Sequence, residues 1–147
     1  MQLRFLAIAI TGALAGGAPV AAQTDSTSPD ALLDAWVSAF NECSAEKLSA
    51  LYDPAATLWG TNSTALIAAP EGVRFYFNSA CSMQPAIKVH LGERTTKVFG
   101  TTATSAGTYT FARDGKELPA RFSFALARVG DRWLIIQHHS SPLPGRP

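Results

Sequence analysis

The sequence predicts an α+β fold, with helices from the first half packed on one side of a mainly antiparallel sheet built by the second half. Three observations predict it. Apolar residues recur at helical spacing in two segments between residues 29 and 80. From Pro85 onward the period changes to two, in segments rich in Thr, Val, Ile and aromatic residues. Asp114-Gly115 and Gly130-Asp131 break the last segments at intervals that suit hairpins.

In chain order, Ser28-Pro29 opens the first helix: serine as N-cap, proline at the first helical position, Asp30 in the first turn against the macrodipole. Leu32, Leu33, Trp36, Val37 and Phe40 share one face, and Asp34, Ser38 and Asn41 the other. A short helix follows over 45–51, ended by a turn at Asp53-Pro54. Residues 56–60 suit a short strand, and 62–69 are ambiguous. Pro70-Glu71 starts a third helix with Val73, Tyr76, Phe77 and Ala80 on one face and Arg74 beside it. Strands are expected over 87–94, 101–112, 118–128 and from Trp133 onward.

Composition bounds the class. The chain has 147 residues, 47% hydrophobic and 16% charged, which suits one globular domain. A net charge of +1 gives no footprint for nucleic acid or an anionic membrane. Residues 1–22 have the pattern of a cleaved secretory signal: Arg4, an apolar run of 11 residues, then small residues with Val20 and Ala22 at the −3 and −1 positions. The run is well short of the roughly 20 residues of a membrane-spanning helix. This predicts a periplasmic or secreted protein, with no membrane contact after cleavage. Residues 23–28 are expected to be a flexible tether and 29–144 the single domain. In an oxidising compartment Cys43 and Cys81 can form a disulfide; two separate buried thiols are the alternative. Two thiols are too few for a structural zinc site, and no metal or cofactor is expected.

The last strand, WLIIQHHSSPLP from Trp133 to Pro144, has apolar residues on both faces of its first half. Strict alternation puts Trp133, Ile135, Gln137 and His139 on one face and Leu134, Ile136 and His138 on the other. The chain's own helices can cover one face. A second copy covering the other predicts a homodimer. Adjacent histidines on a regular strand cannot chelate one ion together, so at most one of His138 and His139 serves a given cavity.

Several of these segments carry a resemblance. RFYFN at 74–78, Gln84-Pro85, the strand reaching His90, and above all HHSSPLP at 138–144 resemble the association domain of calcium/calmodulin-dependent protein kinase II. The pattern G-x-Y-x-F…G-K-x-x-P-A-R-F-S-F, from Gly107 to Phe124, is similar to the small bacterial SgcJ/EcaC group of SnoaL-like proteins. The resemblance covers about Pro29 to Pro144. It implies the cystatin-like cone of the nuclear transport factor 2-like superfamily: a curved sheet wrapped round a long helix, a pocket, and assembly through dimers. It does not imply kinase activity, because the sequence has neither a glycine-rich nucleotide loop nor a catalytic loop. It also implies arginines in the pocket. Two of the hub's positions fall at Ser140 and near Phe124 here, which leaves Arg74 and Arg121 as the arginine candidates.

Two functions follow as expectations. The favoured one is an exported module that binds an unknown small molecule and self-associates, its cavity lined by Trp36, Arg74 or Arg121, Tyr109 and one of His138 and His139. The second is a cofactor-free lyase or isomerase acting on an apolar ring compound, with a histidine as base and Tyr109 as hydrogen-bond donor. The carboxylates lie on helix surfaces or in turns and supply no evident general base. The enzyme reading requires an imidazole nitrogen and a second donor in one cavity. A pure scaffold would have that space filled by Trp36, Phe40 and Phe77.

Overall fold

A computed structural model describes residues 26–145. The predicted signal segment, residues 23–25 of the tether and the last two residues lie outside the described part. The order of elements is α1 (Pro29–Asn41), α2 (Ala45–Ser49), β1 (Tyr52–Trp59), β2 (Ile67–Ala68), α3 (Glu71–Cys81), β3 (Lys88–Phe99), β4 (Thr102–Arg113), β5 (Lys116–Val129) and β6 (Arg132–Pro142). The six strands form one sheet in the order β2-β1-β6-β5-β4-β3, antiparallel throughout except for the parallel β1–β6 pair. This is the expected α+β class with N-terminal helices on a curved sheet.

Helix α1 begins as its sequence dictates. The Ser28 hydroxyl accepts from the Ala31 amide at 3.1 Å, and Pro29 takes the first turn, where no amide proton is needed. Its apolar stripe of Leu32, Leu33, Trp36 and Phe40 is buried against the sheet's inner face. Polar residues fix the helix to β3. The Asn41 side chain donates to the Val89 carbonyl at 2.9 Å and accepts from the Val89 amide at 2.8 Å, standing in for a neighbouring strand. Arg94 reaches Asp34 at 2.6 Å and Asp30 at 3.3 Å. The tether is firmer than expected at its end: Ser26 is buried, and its carbonyl accepts from the Trp133 amide at 2.9 Å.

Three register shifts interrupt the sheet, on β1, β3 and β6. On β3, Leu91 pairs with Tyr109 but Arg94 pairs with Gly107, so β3 carries one extra residue. Gly107 faces that bulge, and a Cβ there would lie 2.3 Å from the Glu93 carbonyl oxygen. On β6, Leu126 pairs with Ile135 but Ala125 pairs with Gln137, which leaves Ile136 as the extra residue. That bulge reverses the phase of the strand beyond it. His138, not His139, therefore shares the inner face with Trp133 and Ile135, contrary to strict alternation. Asp53-Pro54 is likewise not the end of an element: it lies inside β1, in the irregular stretch between Tyr52 and Thr57.

Candidate functional site

The inner face of the sheet, α1 and α3 enclose a cavity of about 180 Å³. Trp36 and Phe40 of α1, Phe77 of α3 and Phe111 of β4 contribute rings to its apolar wall. Trp36 is the hub of the packing. It stacks with Phe40 at 5.4 Å and Tyr109 at 6.1 Å between ring centres, and meets Phe77, Phe124 and His138 edge-on. These rings line the space without filling it, so the condition for a pure scaffold is not met. Gly60 keeps the loop after β1 close: a Cβ there would sit 2.4 Å from the Tyr76 ring.

Polar groups enter this wall from β4, β6, the loop after β1 and α3, the last through Tyr76 and Ser79. His138 and Ser140, two residues apart on β6, face inward together. Tyr109 comes from β4, two strands away. Thr61, from the loop after β1, hydrogen bonds to the Ser140 hydroxyl. Among the described residues, no Asp, Glu, Lys or Arg side chain lines the cavity.

The state of His138 follows from its partners. Trp36 Nε1 donates to the Tyr52 hydroxyl at 3.0 Å, and that hydroxyl lies 2.8 Å from His138 Nδ1. An indole nitrogen can only donate, so the Tyr52 oxygen accepts from it and the Tyr52 proton goes to Nδ1. The proton of the neutral imidazole is then on Nε2. The opposite tautomer would leave the buried Tyr52 proton without an acceptor. Burial, and secondarily the neighbouring His139, pull the His138 pKa down from 6.5 to about 3. Stacking on Phe124 at 3.9 Å fixes the ring plane. His138 is thus a neutral N–H donor held by a Trp–Tyr–His chain.

Two buried polar atoms of lining residues have no partner among the described residues: His138 Nε2 and the Tyr109 hydroxyl. Burial raises the Tyr109 pKa and keeps it protonated; the Ser140 and Thr61 hydroxyls oppose that shift from nearby but make no hydrogen bond of normal geometry with it. An unmade hydrogen bond on a buried polar group costs about 1–3 kcal/mol. Two such donors on residues that line one mostly apolar cavity are suited to an acceptor oxygen.

The structure brings Trp36, Tyr109 and His138 together. It does not bring Arg74, Arg121 or His139. Arg74 lies on the exposed face of α3, 3.9 Å from Glu46. Arg121 is exposed on the outer face of β5, where its Nε donates to Ser141 at 3.1 Å. Both positions follow from element phase: Arg74 is next to Val73 rather than a full turn from it, and Arg121 alternates with the buried Ala120 and Phe122. His139 is exposed because of the β6 bulge. His90 is also exposed, so no imidazole pair forms. Among the described residues, no group of three metal-ligating side chains occurs. Cys43 and Cys81 are close, with Cys43 Sγ 3.9 Å from the Cys81 carbonyl, but both are free thiols. Thr61 takes a part that sequence reasoning missed, as does the link that Tyr52 makes between Trp36 and His138; positions 36, 52, 61 and 138 share no local pattern that would reveal it.

With this geometry in view, comparison with known proteins places the chain. The SnoaL-like domain family model matches residues 30–144. The chain belongs to the SnoaL-like domain family. A solved structure from Xanthomonas campestris, a candidate calcium/calmodulin-dependent protein kinase II association domain, is 32% identical with a TM-score of 0.71, covering 80% of this chain and 86% of that one. A candidate dehydratase of the nuclear transport factor 2-like family from Streptomyces avermitilis is 19% identical with a TM-score of 0.73, covering 83% and 98%. A protein with a cystatin-like fold from Caulobacter vibrioides is 14% identical with a TM-score of 0.68, covering 78% and 87%. The last two support the fold alone. No curated protein sequence matches.

Proposed function

We infer that this SnoaL-like protein binds a small, mostly apolar ring compound through an acceptor oxygen such as a ketone, and that it does so as a homodimer. The observation that carries the binding reading is the pair of unpartnered buried donors, His138 Nε2–H and Tyr109 O–H, on one apolar cavity. A cavity of about 180 Å³ suits one ring, since an engineered apolar cavity of about 150 Å³ takes up benzene. For the dimer, the support is the outer face of the sheet, where Trp59 and Ile136 remain exposed on neighbouring strands.

The lyase or isomerase reading uses the same two residues but asks His138 to accept a proton. A pKa near 3 and a proton already on Nε2 make it a poor base at neutral pH, and among the described residues no carboxylate lines the cavity to replace it. The groups present can stabilise an oxygen; they do not supply a base. Binding is therefore favoured over turnover.

The test compares cyclohexanone with methylenecyclohexane, which has the same shape and no acceptor oxygen, by calorimetry. The ketone is expected to bind about fivefold to fiftyfold more tightly, the worth of one to two hydrogen bonds. Tyr109→Phe should reduce that preference while leaving the unliganded protein at least as stable, because the hydroxyl it removes has no partner. Equal affinity for the two probes, or no binding of either, rejects the reading. Catalysed conversion of 3-cyclohexenone to its conjugated isomer, lowered by Tyr109→Phe, would favour the enzyme instead.

A further inference from the structure

The cavity does not end at its apolar wall. A second hollow of about 270 Å³ shares Asn62, Met83, Ile87, Phe111 and Leu118 with it, so the two adjoin. The rest of the hollow's wall comes from the β4–β5 hairpin and includes Arg113, Lys116 and Glu117. Register decides which of these face the shared space. Phe111 pairs with Leu118, and both line the cavity. Arg113 pairs with Lys116, two residues further along each strand, so alternation carries both cations on the same face. Ala112 and Glu117 pair between them and also line the hollow, so its wall carries one carboxylate beside the two cations. The turn that sets this register, Asp114-Gly115, has positive φ at both residues, 52° and 69°, as a tight two-residue hairpin requires.

Neither cation is engaged by an acid. Among the described residues, no carboxylate lies within ion-pair distance of Arg113 or Lys116. The Arg113 guanidinium instead directs Nη1 at Met83 Sδ, 3.0 Å away, and a thioether is a weak acceptor. Met83 belongs to both hollows, so this contact holds the guanidinium at the junction between them. Glu117 and Asp114 nearby cancel part of the field, which suits a single negative charge better than a dianion.

The geometry points to an amphiphilic carboxylic acid as the ligand: a ring in the deep cavity, its oxygen on His138 and Tyr109, and its carboxylate at the mouth on Arg113 and Lys116. This rests on the binding reading above for the deep end. The anion site is separate from it, on the hairpin; among the described residues, no Lys or Arg lines the deep cavity.

The test uses three probes: cyclohexanone, 3-(4-oxocyclohexyl)propanoate and the methyl ester of that acid. The acid is expected to bind about threefold to tenfold more tightly than its ester, as two partly exposed ion pairs allow, with the margin shrinking at high salt. Replacing both rim cations, Arg113→Gln with Lys116→Gln, should abolish the margin and leave cyclohexanone binding unchanged. Arg121→Gln, on the outer face, should leave the margin intact. An ester that binds as well as the acid, or a margin that survives the double variant, overturns the rim assignment. Binding of the acid that depends on the rim, without binding of cyclohexanone, would keep the rim and reject the deep site. Binding of none of the three rejects both.

Discussion

His138 carries a physical cost that can be measured. Its ring is fully packed, stacked on Phe124 and edge-on to Trp36, with Nδ1 satisfied by Tyr52 and Nε2 unsatisfied. Between pH 6.5 and about 3 the unfolded chain binds a proton at this imidazole and the folded chain does not, so stability is lost as pH falls through that window. The slope is about 1.4 kcal/mol per pH unit well below the upper limit, and the loss is already of order 1–2 kcal/mol near pH 5. Urea unfolding of the wild type is expected to show this loss between neutral pH and about pH 5, above the range in which carboxylates titrate. In His138→Phe the dependence should flatten, although its stability at neutral pH falls because Tyr52 loses its acceptor. A variant that keeps the full slope would place the proton uptake elsewhere. The residues that make this site were legible one by one, since Tyr109 and the histidine pair stood out in the sequence. Their joining was not, because the Trp36–Tyr52–His138 chain links three elements that meet only in the folded sheet.

At the scale of elements, the helices and the strand order of the second half were legible from period and turn residues. The bulges were not. Ile136 is an ordinary strand residue, and nothing in WLIIQHH marks it as the extra one. Its effect is decisive all the same, since it turns His138 inward and His139 outward. The β3 bulge left one trace, a glycine opposite it. Gly107→Ala would place a methyl group 2.3 Å from the Glu93 carbonyl oxygen and 2.9 Å from Arg94 Cα, both backbone atoms that cannot step aside. Overpacking of this kind typically costs about 1–3 kcal/mol. Thermal unfolding of Gly107→Ala should reflect a loss in that range, with weakened ketone binding, because Tyr109 is two residues along the same strand. An unchanged melting temperature would mean that the bulge yields freely.

For the molecule as a whole, the helices cover one face of the sheet and leave the other open. Trp59 and His139 are register partners on that outer face, and Ile136 stands beside them on β6. Burying Trp59 on each subunit contributes towards association when the opposing face is the same surface. Light scattering at micromolar concentration is expected to give the mass of a dimer, and Trp59→Lys to shift it towards monomer without loss of the fold. A wild-type protein that is monomeric under those conditions contradicts the proposal. The hub positions given by resemblance hold Ser140 and, nearby, Phe124 here, and the arginines left as candidates lie outside the cavity wall, Arg74 on a helix surface and Arg121 on the outer sheet face. Family likeness transfers the backbone cone more faithfully than the charges mounted on it.

By itself the sequence determined the class and the layout: an N-cap and an apolar stripe fix α1, period-two segments and Asp114-Gly115 fix the hairpins, and both signals act within a few residues of chain. Only the tertiary structure decided which histidine lines the cavity, its protonation state, and where the cations lie relative to it. Those properties depend on register and burial. A single extra residue in β6 reverses the first, and packing beneath Trp36 and Phe124 sets the second. Neither is encoded in the spacing of residues along one strand.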